Sequence, residues 1–411
     1  MKTNRSTFSI FAGFTLTVLG GMIFDIGGLA AGRAATLLNS LMENVPWVFL
    51  IYPLLLTVRG DINGILTGKL GSALHLGIIK PVWRKNSSTF LELIFMIVFM
   101  SIYDAILIGT VTSVLGFLLK LFSNPIEVLQ IYVITLTTFI LTATISMLIT
   151  FLLTFFIFKK NGDPDVYAYP ITSSVNDILI TIVFFLICWL YQPWKDYLNL
   201  HYYIGIPIIV FVLIVFIFSI VKFKDSKYFL RGIKQSIPVL TLTNLIAAGT
   251  GTVLATLSDT LSAVPILLVF YPAIISTVGS QNSILANTTS TKLHLGSIKP
   301  SFKSIRSKEF SITYGSIITS AVLIILLMSI IGVLLFPEGI TFGLYWLILG
   351  LLLLSNFLSF FLISFIALSA SFLSFRFGLD PDNLVNPLLS SSADLVTTIV
   401  LVFLFKLLYV V

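Results

Sequence analysis

The chain has 411 residues, 57% of them hydrophobic and only 10% charged. Soluble chains carry about 25% charged residues, so a soluble fold is excluded. The formal net charge of +7 sits in short loops, and no basic helix or basic-aromatic patch stands apart from the apolar runs, which argues against a nucleic-acid binder.

Apolar runs of about 20 residues, the length that crosses a bilayer, recur from end to end. Eleven spans are predicted, at 8–31, 45–79, 90–122, 126–158, 167–191, 203–223, 232–257, 263–298, 310–336, 340–375 and 383–409. The fold class is therefore an all-α polytopic membrane protein. Cys188 lies inside an apolar run and rules out a disulfide framework. Residues 1–7 are short and polar and the next run is too long for a signal h-region, so no cleavable signal is expected.

Loop charge predicts the orientation. Lys2 and Arg5 precede the first span; Lys80, Arg84 and Lys85 follow the second, and Lys159 and Lys160 the fourth. Lys222, Lys224, Lys227, Arg231 and Lys234 follow the sixth; Lys299, Lys303, Arg306 and Lys308 follow the eighth, and Arg376 the tenth. The alternate loops are poor in base: Arg33 with Glu43, Lys120 with Glu127, Lys195 with Asp196, then Asp259 and Glu338. The expectation is a multi-pass protein of the cell membrane, with its N-terminus cytoplasmic and its C-terminus extracellular.

Two internal repeats run through this pattern. Val45-Pro46, Tyr52-Pro53, Gly60, Asn63, Leu74-His75-Leu76-Gly77 and Lys80-Pro81 recur as Val264-Pro265, Tyr271-Pro272, Gly279, Asn282, Leu293-His294-Leu295-Gly296 and Lys299-Pro300, each 219 residues on. Asp163-Pro164-Asp165, Pro170, Ser173, Ser174 and Asp177 recur 217 residues on as Asp380-Pro381-Asp382, Pro387, Ser390, Ser391 and Asp394. The chain divides into a first repeat (1–195), a linking transmembrane helix (196–228) and a second repeat (229–411). Five spans alone would invert the second unit. The unpaired sixth span restores the orientation, which makes the two five-helix repeats parallel about an axis along the membrane normal. Such a pair mimics a homodimer, so a monomeric chain is expected to suffice.

Pro170, Ser173, Ser174 and Asp177 stand at i, i+3, i+4 and i+7, one helical face. Asp165 opens this helix, where an acid favours the positive end of the dipole. At 1.5 Å per residue, Asp177 lies roughly 18 Å further along, near the middle of the bilayer core. A buried carboxylate in lipid is costly and marks function. The other reading is a packing face with small Ser residues; the duplicate with identical spacing favours a site. Facing carboxylates suit a divalent cation, which relieves their repulsion. The candidate ligands are Asp177, Asp394, Ser173, Ser174, Ser390 and Ser391, with Asn63 and Asn282 from the second spans.

Only three histidines and no cysteine cluster are present, which disfavours a soft-metal carrier. His75 and His294 suit packing or capping at a helix end, and Asp163 and Asp380 suit caps. The Pro and Gly of the second spans could break those helices and free carbonyls as ligands; close helix packing is the alternative. Asp25 aligns with Asn244 and Asp104 with Leu323, so these acids lack repeat partners. They are candidates for a second cation site or a coupling-ion site; a base such as Lys69 is another partner for either.

These motifs resemble the MgtE-type magnesium transporters, including the archaeal and eukaryotic solute-carrier family 41 branch with two fused membrane domains. The resemblance covers nearly the whole chain and rests on Asp-Pro-Asp…Pro…Ser-Ser…Asp and Pro…Gly…Asn…His-Leu-Gly. It implies a pore on the two-fold axis and a divalent-cation site with a fifth-span carboxylate from each half, here Asp177 and Asp394. Gly60-Asp61 and Gly279-Ser280 depart from the family's Gly-Asn. The expected function is transport of a divalent cation, Mg2+ first and Mn2+ next, as the transported ion. Exchange coupled to sodium or protons is the alternative, and an intramembrane aspartyl enzyme is disfavoured because no substrate-recognition pattern accompanies the aspartates.

Overall fold

A computed structural model describes residues 7–41, 47–120, 126–191, 198–255, 266–335, 341–379 and 381–409. Glu43, Val45, Pro46, Lys195, Asp196, Asp259, Val264, Pro265, Glu338 and Asp380, all used above, lie outside the described residues, as do Lys2 and Arg5. The described residues hold helices and no strand. In chain order the helices are α1 (Thr7–Met22), α2 (Gly28–Ala35), α3 (Val48–His75), α4 (Ser88–Leu118), α5 (Ile126–Lys159) and α6 (Pro164–Tyr191). There follow α7 (Leu198–Phe223), α8 (Lys227–Ala255), α9 (Ile266–His294), α10 (Lys308–Leu335), α11 (Phe342–Arg376) and α12 (Pro381–Tyr409).

Among the described residues, nine helical stretches are long and apolar enough to cross a membrane. The other two expected spans are α3 and α9, with 28 and 29 residues. At 1.5 Å per residue each is roughly 42 Å long, ample for a crossing. They fall short in hydropathy because they carry Thr57, Arg59, Asp61, Asn63, Ser280, Gln281 and Asn282. All of these side chains are buried. A helix surrounded by protein can carry polar groups that a lipid-facing helix cannot. The opposite case is α7, which presents Phe211, Ile214 and Val221 outward and packs mainly on α5 and α4 at the edge of the bundle.

The helix contacts come in corresponding pairs. α3 lies against α4, α5 and α6, while α9 lies against α10, α11 and α12. α3 also meets α12, and α9 meets α6. The opening helices cross over: α1 runs along α10 and α2 along α9, while α8 runs along α3 and α4. The sequence boundaries did not anticipate this exchange. Val18 and Met22 of α1 accordingly join Ile317, Ile324 and Met328 of α10 in one buried cluster. In lipid such packing stabilises through van der Waals contact and hydrogen bonds, since removal from water is not at stake.

Of the two readings of the second-span Pro and Gly, the described residues favour close packing over a break. α3 and α9 run as helix through Pro53 and Pro272, and α6 and α12 through Pro170 and Pro387. A proline withdraws one donor, and packed neighbours on all sides hold the rest of the ladder. The irregularity falls in the first span, where a 3-10 turn, Ile23–Gly27, carries Asp25 between α1 and α2. The repeated His-Leu-Gly is a helix stop. Gly77 and Gly296 have φ of +69° and +67°, the left-handed conformation that glycine adopts freely. The amides of Ile78 and Ser297 then reach back to the carbonyls of Ala73 and Lys292 at 2.9 and 3.0 Å, closing the end of the helix.

Candidate cation site

The helix α6 carries Asp177 and α12 carries Asp394, and both side chains line one small cavity between α3, α6, α9 and α12. Arg59, Tyr169, Ser173 and Ser390 line it with them. Asp177 and Asp394 are 6% and 7% exposed. The cavity measures about 30 Å³, room for about two waters. The backbones come close here because residue 60 is glycine: a Cβ on Gly60 would run into the Ser390 hydroxyl. One turn beyond each aspartate, a threonine ties the helices together. The Thr181 and Thr398 hydroxyls donate to the Asp177 and Asp394 carbonyls at 2.6 Å. The same threonines meet the hydroxyls of Tyr52 and Tyr271 at 3.0 and 2.8 Å.

The carboxylates themselves are held differently. Asp177 forms a buried ion pair with Arg59, whereas Asp394 Oδ2 accepts a hydrogen bond from Thr57 Oγ1 at 2.5 Å. The position corresponding to Arg59 is Val278. Nε and Nη1 of Arg59 are buried with no hydrogen-bond partner. With two aspartates and one guanidinium, the chamber carries less negative charge than the aspartates alone provide. Arg59 was not singled out from sequence, although an arginine in the interior of a predicted span was itself a sufficient signal.

Of the remaining candidate ligands, only some reach this chamber. Ser173 and Ser390 do; Ser174 and Ser391 do not, because adjacent residues on a helix point about 100° apart. Ser174 Oγ lies 3.5 Å from Asp25 Oδ1, an atom that also accepts from Ser276 and Ser280 at 3.3 and 2.8 Å. Ser391 Oγ lies 3.1 and 3.0 Å from the two oxygens of Asp61, a buried carboxylate noted in the sequence only as a departure from the family's Gly-Asn. Asn63 joins α3 to α6 and α5, donating to Thr172 at 2.8 Å and accepting from Thr150 at 3.3 Å. Asn282 donates to the Val278 carbonyl of its own helix at 2.8 Å. Asp104 accepts from Asn244 Nδ2 at 2.9 Å. Lys69 instead lies over the Tyr228 ring, 5.2 Å from its centroid.

At the lysine-rich end of α6, His75 Nε2 stands 3.7 Å from Asp163 and 4.0 Å from Asp165. These three groups could hold a metal ion by their spacing. The contacts also describe a helix cap: Asp163 Oδ1 accepts from the Asp165 amide at 3.0 Å, and Asp165 accepts from Thr291. His75 and His294 each meet a phenylalanine edge-on, Phe158 and Phe375, with ring centroids 5.7 Å apart in both cases.

Every donor around the central chamber is oxygen, apart from the guanidinium. That set suits a hard cation such as magnesium or calcium and suits soft metals poorly. Over 411 residues the chain is 26% identical to the mouse (Mus musculus) protein "Solute carrier family 41 member 2", covering 95% of this chain and 69% of the relative. No solved structure matches it. The sequence model of the MgtE family, described as a divalent cation transporter, matches twice, at residues 52–187 and 271–404. Each match spans one set of the helices that enclose the chamber and takes in one of its aspartates, so the chain belongs to the MgtE family of divalent cation transporters.

Proposed function

We propose that the transported ion is magnesium. It passes between two pseudo-symmetric, parallel repeats, residues 1–195 and 229–411, linked by the helix in 196–228, and it binds between Asp177 and Asp394. The observation that carries this reading is the pair of buried carboxylates from α6 and α12 lining one cavity. The double family match and the paired helix contacts support the repeat. Magnesium sheds its water reluctantly and is typically held by one or two carboxylates with several waters kept. Two aspartates, the hydroxyls of Ser173, Ser390 and Tyr169, and space for water answer that need.

Arg59 adds a condition. Its guanidinium already neutralises Asp177, so an arriving cation competes with a tethered one and binds fully only when the arginine swings away. That favours a carrier-like cycle over a permanently open pore. The chain works as a monomer in the cell membrane, N-terminus in the cytoplasm and C-terminus outside, an orientation that rests on the lysine-rich loops.

The test is uptake in a host depleted of its own magnesium transporters. Asp177→Ala and Asp394→Ala are expected to abolish magnesium-dependent growth and flux, the latter normalised to folded protein; full transport by the double variant sinks the proposal. A second reading, exchange coupled to sodium or protons, is favoured by Asp25, a fully buried carboxylate that accepts from three serines. Flux in proteoliposomes with each gradient imposed or collapsed separates the two, and loss of gradient dependence in Asp25→Asn assigns the coupling site.

A further inference from the structure

The geometry points to a second divalent-cation site beside the central chamber, formed by Asp61, Asp104, Asn244 and Ser391. Asp61 is on α3, Asp104 on α4, Asn244 on α8 and Ser391 on α12; α3 and α8 pack on each other and on both α4 and α12. Asp61 and Asp104 are fully buried, and the helices that carry Asp61, Asp104 and Asn244 pack pairwise on one another. The hydrogen bonds to these two carboxylates come from Ser391 and Asn244, neither of them basic. Two ionised carboxylates in a low-dielectric interior need a compensating charge. In the central chamber Arg59 supplies one; here none of these partners does.

The donor set is also incomplete in a telling way. Asp104 uses Oδ1 for Asn244 Nδ2, while Asp104 Oδ2 and Asn244 Oδ1 are buried without a hydrogen-bond partner. Buried polar oxygens are rarely left unpaired, and each one costs free energy. Two such oxygens, the Asp61 carboxylate and the Ser391 hydroxyl make a cluster of hard ligands with enough negative charge for a divalent ion. The corresponding place in the other half differs: Asp25 stands for Asn244, Ser280 for Asp61, Leu323 for Asp104 and Ser174 for Ser391. There a single carboxylate collects three hydroxyl donors on one oxygen. The paired acids therefore belong to one half only, and the predicted second site is single. Ser391 and Asp394 are three residues apart, so the two sites are about one helical turn from each other.

This inference does not depend on the central pair being the transport site. The test is the number of Mn2+ ions bound per chain, read by electron paramagnetic resonance of purified full-length protein in lipid nanodiscs. Two ions are expected for the unaltered chain. Asp61→Asn with Asp104→Asn should lose one of them, and Asp177→Asn with Asp394→Asn the other. Undiminished Mn2+ binding by Asp61→Asn/Asp104→Asn overturns the second site. A single ion lost only with Asp177 and Asp394 also overturns it, while a single ion lost only with Asp61 and Asp104 upholds it and removes the central reading. Should the double variant fail to fold, Asp61→Ser, which copies the residue at position 280, gives the same readout with the fold checked by circular dichroism.

Discussion

Asp177 and Asp394 occupy corresponding turns of α6 and α12, yet one faces a guanidinium and the other a threonine hydroxyl. The backbone supports are alike on both sides, down to the threonine that ties each helix to its neighbouring tyrosine. The difference is confined to the charged lining. The supports of the two aspartates thus match while their electrostatics diverge, because the supports depend on hydroxyls at repeated spacings and the charge on a single substitution, Arg59 against Val278. The flanking sites diverge in the same way, with two carboxylates on one side and a lone Asp25 on the other.

The largest expected effect comes from removing one partner of the ion pair. Asp177→Asn strands Arg59 as a buried charge and should destabilise the protein by roughly 3–5 kcal/mol. Asp394→Asn keeps an acceptor for Thr57 and should cost about 1 kcal/mol or less. Thermal unfolding in detergent without divalent cations measures both, and equal shifts would contradict the difference in partners. Adding Arg59→Met to Asp177→Asn should recover much of the loss, as a double-mutant cycle would register.

Steric differences come next. Gly60→Ala drives a methyl group into the Ser390 hydroxyl and should cost roughly 1–3 kcal/mol. Gly279 has only the Tyr169 hydroxyl nearby, at 3.8 Å, so Gly279→Ala should lie within about 0.5 kcal/mol of the parent. Of similar size is the effect of Arg59→Met on cation binding. Without the tethered charge, Mn2+ affinity of the chamber should rise by about tenfold, equivalent to ~1.4 kcal/mol; calorimetric titration reads it, and unchanged or weaker binding would rule out competition by Arg59.

The smallest effects should be symmetric. Tyr52→Phe and Tyr271→Phe each remove one buried hydrogen bond to threonine and should each cost about 0.5–1.5 kcal/mol. A clear inequality between them would extend the asymmetry from the charges to the frame.

Much of this architecture was legible in the sequence. Hydropathy marked the lipid-facing helices because lipid imposes a uniform apolar demand over about 20 residues. It marked α3 and α9 less well, since their surroundings are protein. The 219- and 217-residue shifts located the corresponding turns, and the His-Leu-Gly stops reflect a local backbone rule that needs no tertiary partner. The i, i+3, i+4, i+7 stripe was the weaker guide. It placed Ser173 and Ser174 on one face, but Ser173 lines the central chamber while Ser174 meets Asp25, because several helices converge there and each claims a narrow sector of α6.

Composition and spacing by themselves determined that the chain is a helical membrane protein, that its motifs repeat, and that Asp177 and Asp394 stand at corresponding positions of the repeated motif. These are properties of one segment at a time, set by transfer into lipid and by helical periodicity. Only the tertiary structure decided that Arg59 pairs with Asp177, that Asp61 meets Ser391 and Asp104 meets Asn244, and that α1 and α8 cross to the opposite half. Each of those depends on which helix faces which, a choice made by packing and by the need of every buried charge for a partner, and no single span carries that information.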